Sequence, residues 1–174
     1  LFQAKTESGL VAGLYSGNPE ITVFRGVPYA APPVGPLRWA PPQPAPAWEG
    51  VYEAYVFKDI PSQAEERHPF YSREFYTCRK PMSEDCLYLN IWTPAQAPGE
   101  GLPVMFFIHG GGFKSGYSHE ITFDGDALAR RVEAGAYGGA VQAFLKDFQV
   151  TENQFRHAVG LFRRESLTYQ CHMS

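Results

Sequence analysis

The sequence predicts an α/β fold, in which short strands of a sheet are followed by C-terminal helices. Short apolar runs separated by turn-forming residues predict the strands. The clearest run, Val104 to Ile108, is aliphatic and aromatic and is followed closely by three successive glycines. This pattern is typical of a buried central strand that ends in a tight turn. Apolar residues spaced three and four apart beyond residue 136 predict the helices.

Composition and charge are those of a globular protein. With 174 residues, 44% of them hydrophobic and 19% charged, the chain suits one domain with a sizeable core. A net charge of −3, without a basic cluster, gives no indication of nucleic-acid binding. No apolar run approaches the length that spans a bilayer. The three cysteines cannot all pair within one chain, which favours the cytoplasm over secretion but leaves the compartment open.

The first elements are predicted to form a β-hairpin. Apolar runs at residues 9–14 and 21–24 flank the turn-forming residues 16–19. Residues 48–57 are expected to add a short strand or turn. Two further strands are predicted at residues 87–92 and 104–108, joined by a loop that contains prolines and glycines.

Prolines recur between Pro28 and Pro46 too closely for a helix or a central strand. A free proline-rich ligand segment is disfavoured, because the stretch also carries the bulky side chains Tyr29, Leu37 and Trp39. We therefore interpret it as an extended loop packed on the core.

Helical periodicity marks the last part of the chain. The residues that carry it are Tyr137, Val141, Phe144, Leu145 and Phe148. Thr151 and Gln154 form a capping-box pattern before a second predicted helix over residues 155–162. The sequence thus predicts a helical tail of uncertain origin at residues 131–174, behind a domain at residues 1–130.

Three ordered blocks resemble the type-B carboxylesterase family, which includes the cholinesterases. They are Phe24 to Arg38, Ser83 to Pro94, and the His109–Gly112 stretch that follows the predicted strand. The resemblance covers roughly residues 9 to 130 and stops near Arg131. It implies the N-terminal portion of an α/β-hydrolase that cleaves small carboxylic esters through a Ser-His-acid triad, without a cofactor. A short helix beginning near residue 123 is also implied.

The resemblance assigns roles to two groups of residues. Gly111 and Gly112 would donate backbone N–H groups to the oxyanion of the tetrahedral intermediate, and His109 and Gly110 would support their loop. Arg25 and Glu84 would form a buried structural ion pair, since both lie in matching blocks. We expect no metal site, because Cys171 and His172 lack zinc-ligand spacing toward the other cysteines.

The cysteine-bounded loop of this family differs in the present chain. Cys86 matches a family half-cystine, but its usual upstream partner is absent before Gln63, and Cys78 is the only nearby substitute. Whether Cys78 and Cys86 can bond is left open. No tryptophan lies between residues 59 and 85, so choline esters are disfavoured, since the family holds the choline cation on a tryptophan in this loop.

The chain contains no G-x-S-x-G nucleophile motif. Ser115 stands one position too late after Gly112 to form the elbow, and no catalytic serine, acid or histidine can be assigned. We therefore expect an esterase by family that is inactive alone. The alternatives are a non-catalytic binding or adhesion protein of the same family and a truncated product. Oligomeric state and acyl or alcohol preference are not predicted.

Overall fold

The computed structural model describes residues 1–64, 70, 74, 80–102, 104–112, 114–133 and 141–145. Their strands and helix are, in chain order, β1 (Gln3–Lys5), β2 (Leu10–Ala12), β3 (Leu14–Tyr15), β4 (Thr22–Pro28), β5 (Val51–Glu53), β6 (Tyr88–Thr93), β7 (Val104–Ile108), α1 (Asp126–Glu133) and β8 (Val141–Leu145). Short 3-10 turns cover Gly35–Leu37 and Ile121–Phe123. The α/β class is confirmed.

The strands form two sheets. The smaller has the order β1-β2-β5, and the larger has the order β3-β4-β6-β8-β7. In the larger sheet β7 and β8 are parallel, while the other neighbours are antiparallel. Helix α1 lies in the chain between β7 and β8, as a connection between parallel strands requires. This crossover carries the chain away from the end of β7, where the glycines begin.

The predicted N-terminal hairpin is confirmed only next to its turn, where β3 pairs with β4. Leu14 pairs with Val23 and Tyr15 with Thr22 across the turn, but β2 leaves to join the smaller sheet. The chain changes sheets at Gly13, where a Cβ atom would lie 2.8 Å from the carbonyl oxygen of Val23. A side chain at this position would separate the strands, so the glycine permits the crossing.

Both faces of the larger sheet are buried. One face carries Phe24 and Ile91, which pack against Val11 of the smaller sheet. The other face carries Val23 and Trp92, which pack against Ala129 of helix α1 with Phe107 and Phe123 beside them. Adjacent residues of β4 and β6 thus serve opposite faces, as the two-residue period of a strand dictates. Burial of this apolar area is the main source of stability.

The predicted helix at residues 137–148 is wrong for residues 141–145, which form strand β8. This strand pairs with β6 on one side and with β7 on the other. Helical spacing in a short apolar stretch is outweighed here, because a strand in this place gives hydrogen-bond partners to the backbone of both neighbours. Residues 146–174, including the second predicted helix, lie outside the described residues.

Most other predicted elements are confirmed. Strands β5, β6 and β7 occur at or near the stretches predicted at residues 48–57, 87–92 and 104–108, and α1 lies where the family resemblance implies a helix. Between Pro28 and Pro46 the only regular element is the 3-10 turn at Gly35–Leu37. Cys86 is buried, whereas Cys78 lies outside the described residues, so a bond between them stays untested.

Candidate functional site

The glycine loop begins where β7 ends. His109 is buried, with 3% of its surface exposed, while Gly110, Gly111 and Gly112 are exposed. Gly111 and Gly112 have backbone φ angles of +124° and +59°, in the region that side chains disfavour. Their conformation therefore explains why glycine occupies both positions.

Gly111 is the tightest point of the loop. Its carbonyl oxygen accepts hydrogen bonds from the backbone N–H groups of Lys114 and Ser115, at 3.1 and 3.2 Å. A Cβ atom at Gly111 would lie 1.7 Å from the carbonyl oxygen of Ser115. No side chain fits there without displacement of the backbone. Gly112, in contrast, has no atom within 4 Å of its Cβ position.

The N–H groups of Gly111 and Gly112 have no hydrogen-bond partner among the residues that the structure describes. The tight turn uses the carbonyl oxygen of Gly111 and leaves both of these donors unused. Adjacent free N–H groups on a positive-φ turn form a concave site for an anion or a developing oxyanion. This arrangement fits the role that the sequence resemblance implies for the two glycines.

The side chain of His109 contacts the first glycine of the loop. Its Nδ1 atom lies 2.7 Å from the carbonyl oxygen of Gly110. A carbonyl oxygen only accepts, so Nδ1 carries a hydrogen and donates it. Within the described residues Nε2 is buried without a hydrogen-bond partner. The ring thus orients Gly110 from a buried position.

Ser115 is part of the turn itself. Its backbone N–H group donates to the carbonyl oxygen of Gly111, and its own carbonyl oxygen occupies the space where a Cβ atom of residue 111 would lie. A nucleophile elbow instead places its serine on a sharp turn between a strand and a helix. Here the segment after Ser115 continues through Gly116 and the 3-10 turn Ile121–Phe123 before α1 begins.

The loop returns to the fold through Gly116 and Tyr117. The side-chain amide of Gln63 hydrogen-bonds both backbone groups of Gly116, and the carboxylate of Glu120 accepts from the N–H of Tyr117 at 3.3 Å. Burial raises the pKa of Glu120, opposed by the Tyr117 hydrogen bond and by attraction to His109.

The ion pair predicted between Arg25 and Glu84 is wrong. Glu84 accepts two hydrogen bonds from Arg38, at 2.6 and 2.5 Å, on the surface. This bonding lowers the pKa of Glu84 and raises that of Arg38. The guanidinium of Arg25 lies over the ring of Phe57, 4.9 Å from its centroid. Arg25 is thus held by an aromatic face, which guanidinium groups favour.

Sequence reasoning missed three side chains that hold this region. They are Gln63 and Glu120 at the return of the loop, and the buried Asn90, which accepts from the N–H of Gly26 at 2.8 Å and donates to Ser118 at 3.0 Å. Gly26 has a φ of +73° and lies where the pairing of β4 with β6 shifts register. In the sequence, the one signal for these contacts was the isolated glycine at position 116. In the structure Gly116 has a φ of +104°, which favours glycine.

Comparison with known proteins identifies the class. The sequence profile of the Carboxylesterase family matches residues 2–134, so the chain belongs to that family. No helix of the described residues has the length and apolar character needed to cross a membrane.

Individual relatives agree with this assignment. The chain is 44% identical to fumonisin B1 esterase of Sphingopyxis macrogoltabida over 72% of its own length and 22% of that protein's. It is 44% identical to cocaine esterase of Oryctolagus cuniculus, over 63% of this chain and 21% of the relative. It is 39% identical to acetylcholinesterase of Electrophorus electricus, over 71% of this chain and 20% of the relative.

Solved structures show the same fold. A carboxylesterase of Geobacillus stearothermophilus superposes with a TM-score of 0.66 at 36% identity, covering 84% of this chain and 26% of that one. A PNB esterase superposes with a TM-score of 0.69 at 33% identity, covering 83% and 27%. The chain thus has a partial α/β-hydrolase fold and spans about a fifth to a quarter of the length of these proteins.

Proposed function

We propose that this chain is the N-terminal portion of a serine carboxylesterase and supplies two of the oxyanion donors for its acyl-transfer reaction. The observation that carries the proposal is the loop after β7. Within the described part of the chain the N–H groups of Gly111 and Gly112 have no partner, while Gly111 is fixed through its carbonyl oxygen. Donors held in this way need no reorganisation when charge develops on the substrate oxygen.

In the proposed reaction, a serine nucleophile attacks the carbonyl carbon of a small carboxylic ester. The former carbonyl oxygen becomes an oxyanion, and Gly111 and Gly112 donate hydrogen bonds to it. The alcohol then leaves, and water hydrolyses the acyl-enzyme. In a complete enzyme, loss of one such donor costs about 3–4 kcal/mol in the barrier.

We propose that the chain does not catalyse this reaction alone. It contains no G-x-S-x-G motif, and a nucleophile is indispensable to the covalent route. Two oxyanion donors lower a barrier but form no covalent bond with the substrate, so they cannot replace the serine.

The substrate class follows the family and its named relatives. These include esterases named for fumonisin B1 and for cocaine, which supports a small-molecule carboxylic ester. Choline esters remain disfavoured, because residues 59–85 lack the tryptophan that the resemblance would require.

A non-catalytic binding protein of the same family is the second candidate, favoured by the missing nucleophile motif. Sequencing the source transcript or locus around Arg131 distinguishes the two candidates. A longer frame with G-x-S-x-G would support the esterase, and a frame with another residue in place of the serine would support the binder.

Hydrolysis of p-nitrophenyl acetate by the purified chain tests the proposed inactivity. Wild type should be compared with Gly111→Pro, which deletes one N–H group, and Gly112→Ala, which keeps its N–H group. We expect all three to equal the buffer background. Turnover by wild type and Gly112→Ala, but not by Gly111→Pro, would show that the chain holds a nucleophile and that its proposed inactivity is wrong.

A further inference from the structure

The side chain of Gln63 makes a two-way contact with the glycine loop. The backbone N–H of Gly116 donates to Gln63 Oε1 at 2.7 Å, and Gln63 Nε2 donates to the carbonyl oxygen of Gly116 at 3.0 Å. A primary amide offers the same donor and acceptor as a neighbouring strand, so it satisfies both groups at once. Gln63 thus gives the backbone of Gly116 the two hydrogen bonds that a neighbouring strand would give it within a sheet.

Gly116 in turn packs against the beginning of the loop. A Cβ atom at Gly116 would lie 2.6 Å from the carbonyl oxygen of Gly110 and 2.9 Å from His109 Nδ1. The preceding residue, Ser115, is bonded to Gly111. Displacement of Gly116 therefore moves the turn that sets the direction of the Gly111 and Gly112 N–H groups.

Gln63 is well placed to resist such displacement. Its Nε2 atom also donates to the carbonyl oxygen of Pro61 at 3.2 Å. The neighbouring Ile60 is buried and is bonded through its backbone to Pro81 and Ser83, at 2.9 Å in each case. The amide is therefore anchored in a segment that is itself tied to the chain just before β6.

We propose that Gln63 is a positioning residue for the oxyanion loop, holding Gly116 so that the Gly111 and Gly112 N–H groups keep their direction. The proposal rests on the proposed role of these two donors. Gln63 touches no substrate in it and acts only through the backbone of Gly116. Its specific requirement is an amide, because an acceptor alone leaves the Gly116 carbonyl without its donor.

The test is a comparison of Gln63→Ala and Gln63→Glu by amide NMR of the isotopically labelled chain. Ionised glutamate keeps the acceptor for the Gly116 N–H but faces the Gly116 carbonyl with a second oxygen. Protonation below its ordinary pKa of about 4.3 restores a donor. Wild type measured over the same pH range accounts for pH-dependent shifts that do not arise from residue 63.

We expect both variants to shift the Gly111, Gly112 and Gly116 resonances at pH 7. On acidification the Gln63→Glu resonances should return to the wild-type positions, whereas those of Gln63→Ala should not. Exchange of the Gly116 N–H should be about five- to tenfold faster in Gln63→Ala, as the loss of one hydrogen bond predicts.

Gln43 provides the matched control, because it is exposed, also follows a proline by two residues and also donates to that proline's carbonyl oxygen, Pro41 at 3.1 Å. Gln43→Ala and Gln43→Glu should leave the loop resonances unchanged. Variants of Gln63 that move Gly116 but not Gly111 and Gly112 would overturn the positioning role, as would a Gln63→Glu spectrum that acid does not restore. Neither outcome depends on turnover. The positioning role of Gln63 can therefore fail independently of the proposed oxyanion role of Gly111 and Gly112.

Discussion

At the scale of single residues, Gly111 and Gly112 are glycines for different reasons. Both have positive φ angles, but only Gly111 is enclosed by backbone. A Cβ atom at Gly111 would lie 1.7 Å from the carbonyl oxygen of Ser115. Gly112 has open space around it. The first glycine is needed to close the turn, and the second only to adopt its φ.

We predict that Gly111→Ala destabilises the chain more than Gly112→Ala. A non-glycine residue in the left-handed region costs roughly 1–2 kcal/mol, and this is the whole expected cost at position 112. At position 111 the backbone around Ser115 must also move. Urea unfolding of the two variants measures the difference, with each serving as the other's control. Equal midpoints would contradict the close approach at Gly111.

Residue-scale contacts were the least predictable from sequence. The glycine motif can be recognised because its residues are adjacent in the chain. The hydrogen bond from Gln63 to Gly116 joins residues that are 53 positions apart in the sequence, and no local sequence pattern predicts it. The partner of Glu84 was likewise misassigned, because sequence cannot distinguish Arg25 from Arg38 when side-chain direction decides the pairing.

At the scale of elements, the return segment from Gly116 to the 3-10 turn Ile121–Phe123 supports the site without contributing donors to it. Glu120 is half-buried there and hydrogen-bonds Tyr117. Burial raises its pKa in the folded chain. Ionisation of Glu120 therefore opposes folding: the stability is complete below the unfolded-state pKa and falls as the pH rises through the raised folded-state pKa.

We predict that Glu120→Gln raises the unfolding midpoint at pH 7, because it removes a charge that burial disfavours. The advantage should disappear as the pH falls below the ordinary glutamate pKa of about 4.3, because the wild-type carboxyl, whose pKa is raised, is then protonated. Urea unfolding at several pH values measures this, with Glu49→Gln at an exposed position as the control. An unchanged or lower midpoint at pH 7 would mean that the Tyr117 hydrogen bond and the attraction to His109 outweigh burial.

Elements were predictable where local signals and tertiary demands agree. The runs that became β6 and β7 have strand composition and lie in the sheet. The stretch that became β8 has helical spacing, yet it pairs with strands on both sides. Strand pairing depends on neighbours distant in the chain, which a short periodicity does not report.

At the scale of the whole molecule, β7 is the last strand of the larger sheet in the described part of the chain. Ile108 at its end is 52% exposed. An open strand edge with an exposed apolar side chain is a template for pairing with another chain. The esterases that this chain matches are about three times as long, since the 126 residues aligned with fumonisin B1 esterase make up 22% of that protein.

We predict that the chain self-associates through this edge and that Ile108→Lys weakens the association, because a charge on an edge strand opposes pairing. Ile121→Lys is the matched control, since Ile121 is 65% exposed but belongs to a 3-10 turn, whose backbone is not part of the edge strand. Sedimentation velocity over a range of concentrations measures the effect. Equal effects of both variants would argue for unspecific hydrophobic association.

The central claim is that Gly111 and Gly112 present free N–H groups from a fixed loop. Amide hydrogen exchange at Gly111, Gly112 and Gly116 of the wild-type chain tests it most directly. The account predicts exchange near the rates of an unfolded chain at Gly111 and Gly112, and slower exchange at Gly116, which donates to Gln63. Protection of Gly111 and Gly112 equal to that of Gly116 would contradict it, since donors already bonded within the protein cannot receive an oxyanion.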